Sequence, residues 1–188
     1  MHEEIRNACE ALRGGGLILY PTDTVWSIGC DATCADAVRR VYELKRRADH
    51  RAMLVLLDSA DRLETYVAKV PDAARELLAA ATRPLTVIYP DARRVAPNLT
   101  GSDGSLGIRI TNERFSHALC ARFRKPLVST SANVSGEPSP ATFGDISETI
   151  RSGVDYVVRY RRDEKAAGRR PSSIVRIDGE GIIQVIRE

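Results

Sequence analysis

Serine, threonine and arginine gather where short apolar runs of this sequence begin and end. Pro21-Thr22-Asp23-Thr24 follows the run Leu17 to Tyr20, and Ser105 and Arg109 flank or lie on Leu106 to Ile110. Ser129 to Asn133 closes a third run, and Ser172 with Ser173 opens a fourth. Hydroxyls and loop amides donate well to phosphate and carboxylate oxygens, and arginine adds a planar pair of donors. Placed at strand ends, where open α/β sheets hold ligands, they describe a site for an anion-rich molecule. The sequence has no GxxxxGK[ST] loop, no GxGxxG after a strand and no GxSxG elbow, so no protein nucleophile is indicated.

Cations crowd two further stretches: Arg39, Arg40, Lys45, Arg46, Arg47 and Arg51, and then Arg159, Arg161, Arg162, Lys165, Arg169 and Arg170. Such clusters are usually solvated faces. Lys45 and Arg47 are two residues apart, so they serve one site only if the helix carrying them ends there and the chain turns. Asp49-His50 suits that turn, and Arg40, earlier on the segment, is expected on the solvent face. Asp23 reads as a turn former, with an outer-sphere role toward a metal as the alternative. Thr22 and Thr24 could brace that turn, Asn133 could be a turn former and Trp26 could be core. The four cysteines contain no CxxC pair and the three histidines are scattered. No metal site is expected, and Cys9 and Cys120 read as buried, inert thiols.

These residues need elements to position them. Ile5, Ala8, Cys9 and Leu12 recur at helical spacing before three glycines. Leu17 to Tyr20 reads as a buried strand delivering PTDT into a loop, Ala35 to Arg47 as a helix, and Met53 to Leu57 as a strand. Helices around Arg62 to Val67 and Asp72 to Ala81 lead to a strand at Leu85 to Tyr89. The Pro- and Gly-rich segment from Pro90 to Gly104 is a loop. A strand at Leu106 to Ile110, a helix at Asn112 to Phe123, a strand at Leu127 to Ser131, a helix near Asp145 to Arg151 and a strand at Val154 to Tyr160 follow. Two closing strands, Ser173 to Ile177 and Ile182 to Ile186, form an antiparallel pair turned by Asp178-Gly179.

Alternating strands and helices predict an α/β fold, and 188 residues without repeat or linker predict one domain, residues 1–188. The composition is globular, 43% hydrophobic and 28% charged, with no apolar run long enough to span a membrane. The N-terminus lacks the pattern of a signal peptide, so a cytoplasmic location is expected. A net charge of +3 is too small to mark the whole chain as a nucleic-acid binder.

In order and spacing, YPTDTVWSIGCDA, YELKRRADHRAMLVLL, GSLGIRI, PLVSTSANVSGEPSP and PSSIVRI resemble the YrdC-type threonylcarbamoyl-AMP synthases from Gly16 to Arg187. The resemblance implies a single twisted, mostly open α/β sheet with helices packed on it and a positively charged concave cleft. It implies condensation of L-threonine, bicarbonate or CO2, and ATP to threonylcarbamoyl-AMP and pyrophosphate, for threonylcarbamoyladenosine in tRNA. On that basis Thr24, Arg109, Ser129 and Ser173 (one of the Ser172/Ser173 pair) would hold threonine. Lys45, Arg47, Arg51, Ser105, Ser131, Asn133, Ser139 and Arg187 would hold the nucleotide, with Lys45 and Arg47 acting on the reacting phosphates. Mg²⁺ would arrive with ATP, held chiefly by the phosphates. Implied partners are the substrates, a tRNA contact and a downstream threonylcarbamoyl transferase complex.

The sequence departs from that pattern at Trp26-Ser27, Ala52, Leu56 and Thr82-Arg83-Pro84, where Tyr-Gly, Pro, often His, and Pro-Gly-Pro are usual. Leu56 bears most on threonine, because that histidine contacts the amino acid in some members. Two other readings stand beside this one: a related carbamoyl-adenylate enzyme with another substrate, and a non-catalytic RNA-binding module. The latter would rely on shape and charge, since aromatic residues are 5% of the chain and are not interleaved with the basic ones.

Overall fold

The computed structural model describes residues 1–47, 53–164 and 171–188. Helix α1 (His2–Arg13) places Ile5, Ala8, Cys9 and Leu12 on one buried stripe, with Glu3 and Glu4 in its first turn and Arg13 in its last, as the helix dipole favours. Strands β1 (Ile18–Tyr20) and β2 (Ser27–Gly29) flank the PTDT loop. Helix α2 (Ala35–Lys45) leads to β3 (Leu54–Leu57), and a 3₁₀ turn with the short helix α3 (Leu63–Tyr66) precedes α4 (Asp72–Ala80) and β4 (Leu85–Tyr89). After β5 (Leu106–Ile110) comes α5 (Arg114–Phe123), whose start is fixed by the Glu113 carboxylate accepting from the amides of Phe115 and Ser116. Strand β6 (Leu127–Ser131), helix α6 (Glu148–Ser152), the short β7 (Tyr156–Val157), β8 (Ser173–Ile177) and β9 (Ile183–Arg187) complete the chain.

Among the described residues, nine strands form one mixed sheet in the order β7-β1-β2-β6-β3-β5-β4-β8-β9. The α/β expectation holds, and β8 and β9 pair antiparallel as expected. Strand β2 is the element that pattern reading passes over. It has three residues, one of them glycine, and exists because its edges match β1 on one side and β6 on the other. Gly29 is required there: a Cβ would lie 2.7 Å from the Tyr20 ring and 2.9 Å from the Val128 carbonyl oxygen.

Strand alternation divides the molecule. Val55, Leu57, Val87, Ile108, Val128 and Val175 face one side, where α2, α3, α4 and α6 cover them in the larger core. On the opposite face, α1 and α5 cover Ile18, Tyr20, Leu56 and Leu127 in a second core. The helices stop there. The same face, carried across β6, β3, β5, β4 and β8, presents Ser129, Leu54, Gly107, Arg109, Thr86, Ile174 and Arg176 to a cavity.

Candidate active site

The cavity has a volume of about 470 Å³. Its floor is the sheet, and loops supply its rim: Thr24 and Val25 after β1, Arg47 after α2, Gly101 to Ser105 before β5, Ser139 after β6, and Pro171 and Ser172 before β8. Among the described residues, four arginines line it (Arg47, Arg109, Arg176 and Arg187) against one carboxylate, Asp103. Such a wall suits a ligand bearing several negative charges.

Thr24, Arg47, Ser105, Arg109, Ser129, Ser131, Ser139 and Arg187 are all brought to this cavity. Arg51 and Ala52 lie outside the described residues, as do Asp49 and His50, the expected turn. The described chain turns already at Arg46. Its left-handed backbone (φ 50°) lets the amides of Arg46 and Arg47 bond back to the carbonyls of Glu43 and Tyr42, a Schellman closure without glycine. The turn separates Lys45 from Arg47. Arg47 reaches the cavity wall, whereas Lys45 is buried with its ammonium donating to the carbonyls of Ser131 and Asn133.

Two other expected site residues stand back from the cavity. Asn133 turns its amide group to the carbonyls of Val134 and Glu137, which makes it a loop former. Ser173 is displaced by strand alternation: Ser172, Ile174 and Arg176 line the cavity, while Ser173, one residue out of phase, does not. Of the serine pair, therefore, Ser172 is at the site; its buried hydroxyl shares a 2.8 Å hydrogen bond with Thr86. Thr86, Asp103 and Arg176 were missing from the expected set. The polar-apolar alternation of β4 and β8 carried the signal for two of them, but it names a face only once the register of the sheet is known.

The deep end of the cavity is built around Arg109, 2% exposed on β5. Its Nη2 lies 3.0 Å from Asp23 Oδ1, yet neither atom completes a hydrogen bond, and Nε has none either. Burial lowers the guanidinium's proton affinity, and the Asp23 carboxylate opposes that shift. Burial likewise raises the Asp23 carboxyl above its ordinary range, with Arg109 pulling against it. Nearby, Thr22 accepts from the Thr24 amide and donates to the Val25 carbonyl, so Thr22 braces the turn while Thr24 faces the cavity. At the outer end, Ser105 donates to Asp103 at 2.6 Å and Arg176 pairs with the same carboxylate at 2.7 Å, holding Asp103 well below the usual carboxylate range. Gly101 makes room for this network, since a Cβ there would lie 2.7 Å from Asp103 Oδ1. Arg187 donates Nε and Nη2 to the Ser172 carbonyl, which fixes the last strand against the rim.

Other residues singled out in the sequence lie away from the cavity. Leu56, on β3, is fully buried beneath α1 and α5 and does not line the cavity. Trp26 is core, 5.0 Å from the Phe143 ring centroid. Arg40 is no free surface cation: it donates to the Gly15 carbonyl and pairs with Asp155 at 2.9 Å. In the second basic cluster, Arg161 is tied to the Thr22 carbonyl, Glu113 and Glu164, and Arg162 to the carbonyls of Val157 and Val158. Those two guanidiniums are committed to the fold, which weakens the reading of the cluster as an RNA surface; Lys165, Arg169 and Arg170 lie outside the described residues. No helix among the described residues is long and apolar enough to cross a membrane.

Comparison with known proteins agrees with this geometry. Residues 10–188 match the Sua5/yciO/yrdC family model, described as "Telomere recombination". A threonylcarbamoyl-AMP synthase of Hahella chejuensis is 33% identical over 153 residues, 81% of this chain and 83% of that protein. Its counterpart from Chromohalobacter salexigens is 37% identical over 153 residues, with the same coverage. Among solved structures, P. abyssi Sua5 complexed with L-threonine matches with a TM-score of 0.81 at 25% identity over 92% of this chain, which spans 50% of the P. abyssi chain. E. coli YciO shares the fold with a TM-score of 0.85 at 22% identity, covering all of this chain and 90% of that one. With the family model matched over nearly its whole length, and with the hydroxyl- and arginine-lined cavity at the positions its motifs mark, the chain belongs to the Sua5/YciO/YrdC family.

Proposed function

We propose that this protein is a threonylcarbamoyl-AMP synthase, forming threonylcarbamoyl-AMP and pyrophosphate from L-threonine, bicarbonate or CO2, and ATP. The observation that carries the reading is Arg109: a buried guanidinium at the end of an anion-suited cavity, with donors lacking hydrogen-bond partners and with Thr24 and Ser129 on the same wall. A substrate carboxylate would complete that guanidinium, and the hydroxyls would receive the rest of a small hydroxy amino acid. Relatives named threonylcarbamoyl-AMP synthase and a Sua5 structure holding L-threonine support the choice of amino acid.

The chemistry asks little of a nucleophile. Threonine's amine takes up CO2 to give a carbamate, and a carbamate oxygen attacks the α-phosphorus of ATP as the bond to pyrophosphate breaks. Alignment and charge neutralisation dominate such a step. Arg47, Arg176 and Arg187 would meet the polyphosphate, with Ser105, Ser131 and Ser139 along the nucleotide. Mg²⁺ bound to ATP would find one carboxylate on this wall, Asp103, which fits an ion held mainly by phosphate and water and neutralising the departing pyrophosphate. A cytoplasmic location, a tRNA contact and handover to a transferase complex complete the proposal.

Pyrophosphate release should require both bicarbonate and threonine, with mass detection of the acyl-adenylate as the check. Release at an equal rate with either omitted would sink this function. A product formed only with another amino acid would instead favour the related carbamoyl-adenylate reading.

A further inference from the structure

Among the described residues no group of His, Cys, Asp and Glu could hold a metal, and Asp23 lies in the bend between β1 and β2 with its side chain turned largely out of solvent. Its carboxylate is aimed at Arg109, and the pair is enclosed, the two side chains being 15% and 3% exposed. Charges taken out of water at this depth are normally compensated by well-aligned hydrogen bonds. Here the 3.0 Å approach is not aligned as one. Arg109 is therefore restrained by charge on one side while its Nε keeps an unused donor.

The pair also separates two spaces. Arg109 lines the cavity described above, whereas Asp23 lines a second cavity of about 420 Å³ between α4, β4 and the end of β5, with Thr82, Arg83 and Asn112 on its wall. Asp23 thus meets Nη2 of the guanidinium without itself lining the cavity of the proposed substrate. The PTDT loop is also held by ties that do not involve the Asp23 carboxylate. Arg161 donates to the Thr22 carbonyl at 3.1 Å, and Thr22 closes the turn through the Val25 carbonyl at 2.7 Å.

We propose that Asp23 is a positioning residue for substrate carboxylate binding: by its charge beside Nη2 it holds the Arg109 guanidinium, leaving the unpaired Nε for the carboxylate of the amino acid. The proposal rests on the threonine reading of the cavity and deepens it. Asp23 itself touches no substrate. Its loss should be felt in amino-acid affinity and not in nucleotide affinity, a split that a merely structural ion pair would not produce.

The test is Asp23→Asn, which keeps the shape and removes the charge, with Asp23→Glu as the charge-retaining partner. Asp23→Asn should raise KM for threonine by on the order of tenfold, leaving KM for ATP and kcat within about twofold. Asp23→Glu should lie nearer the wild type. An unchanged KM for threonine, an equal rise in both KM values, or equal losses in the Asn and Glu variants would overturn the proposal. Calorimetric titration with L-threonine, which needs no turnover, keeps the two hypotheses apart. Asp23-dependent threonine binding in a protein that makes no acyl-adenylate would sink the synthase reading alone; normal synthesis with Asp23-independent threonine binding would sink the positioning role alone.

Discussion

The ammonium of Lys45 donates to the carbonyl oxygen of Asn133 at 2.6 Å. With a second bond to the Ser131 carbonyl, it pins the end of α2 to the loop that follows β6, and the Ser135 amide returns the tie by donating to the Lys45 carbonyl. This arrangement makes Lys45 a brace for the SAN loop.

A pH signature follows. Burial first, and the charge of Arg47 second, push the Lys45 ammonium from 10.5 down to about 8. Between those values the unfolded chain holds this proton more tightly than the folded one, so the cost of the buried charge is present below pH 8 and is relieved as pH rises. Wild-type stability relative to Lys45→Met should therefore climb with pH across that window, by up to about 1.4 kcal/mol per unit. Urea melts of both proteins through the window would check it. A flat difference would show that the folded ammonium keeps its ordinary affinity.

Cysteine reactivity tests the two cores. Cys9, Cys30 and Cys120 are buried, and desolvation raises each thiol's pKa, whereas Cys34 at the start of α2 is only half-buried. Native protein should expose one fast thiol to an aromatic disulfide reagent, lost in Cys34→Ser. Rapid titration of more than one thiol without unfolding would contradict this packing.

Adjacent serines should behave oppositely. Ser172 faces the cavity and shares a hydrogen bond with Thr86, while Ser173 faces away and its amide pairs with the Pro84 carbonyl. Ser172→Ala should lower kcat/KM by roughly fivefold or more, the worth of about one neutral hydrogen bond. Ser173→Ala should stay near the wild type. Kinetics with threonine and ATP each varied would decide, and a larger loss at Ser173 would mean the strand register at the site is wrong.

The contrast between these serines shows what the sequence could and could not convey. Short segments built on aliphatic residues were legible: β4, β5, β6 and β8 have the bounds read from the sequence. Strand β2 was not, because its three residues are strands only through their neighbours. The residues of the hydroxyl and arginine clusters fall on one cavity, but the sequence did not tell which member of Ser172/Ser173 enters it, nor that Lys45 and Asn133 bond within the loop behind it. Those depend on register and on where a helix turns, and both are tertiary facts. Arg40 illustrates the same limit, since its partner Asp155 is 115 residues away.

Arg47 remains the sharpest separation of function from surface charge. Helix α2 ends in the left-handed turn at Arg46, and Arg47, just past it, sits on the cavity wall. Arg39, two helical turns earlier, is exposed and pairs with Asp36 and Glu43 of its own helix. It is a better control than Arg40, whose removal would break a tie between α2 and Asp155. If Arg47 meets the polyphosphate, losing one charge-assisted contact in a water-poor site would cost on the order of 2 to 4 kcal/mol of transition-state stabilisation. Arg47→Ala should then lower ATP-dependent turnover by at least about tenfold, equivalent to about 1.4 kcal/mol or more. Arg39→Ala should leave turnover near the wild type, and neither change should move the thermal midpoint far. Equal, near-wild-type kinetics in both variants would mean that Arg47 does not bind the nucleotide, and the cavity's phosphate end would have to be sought nearer Arg176 and Arg187.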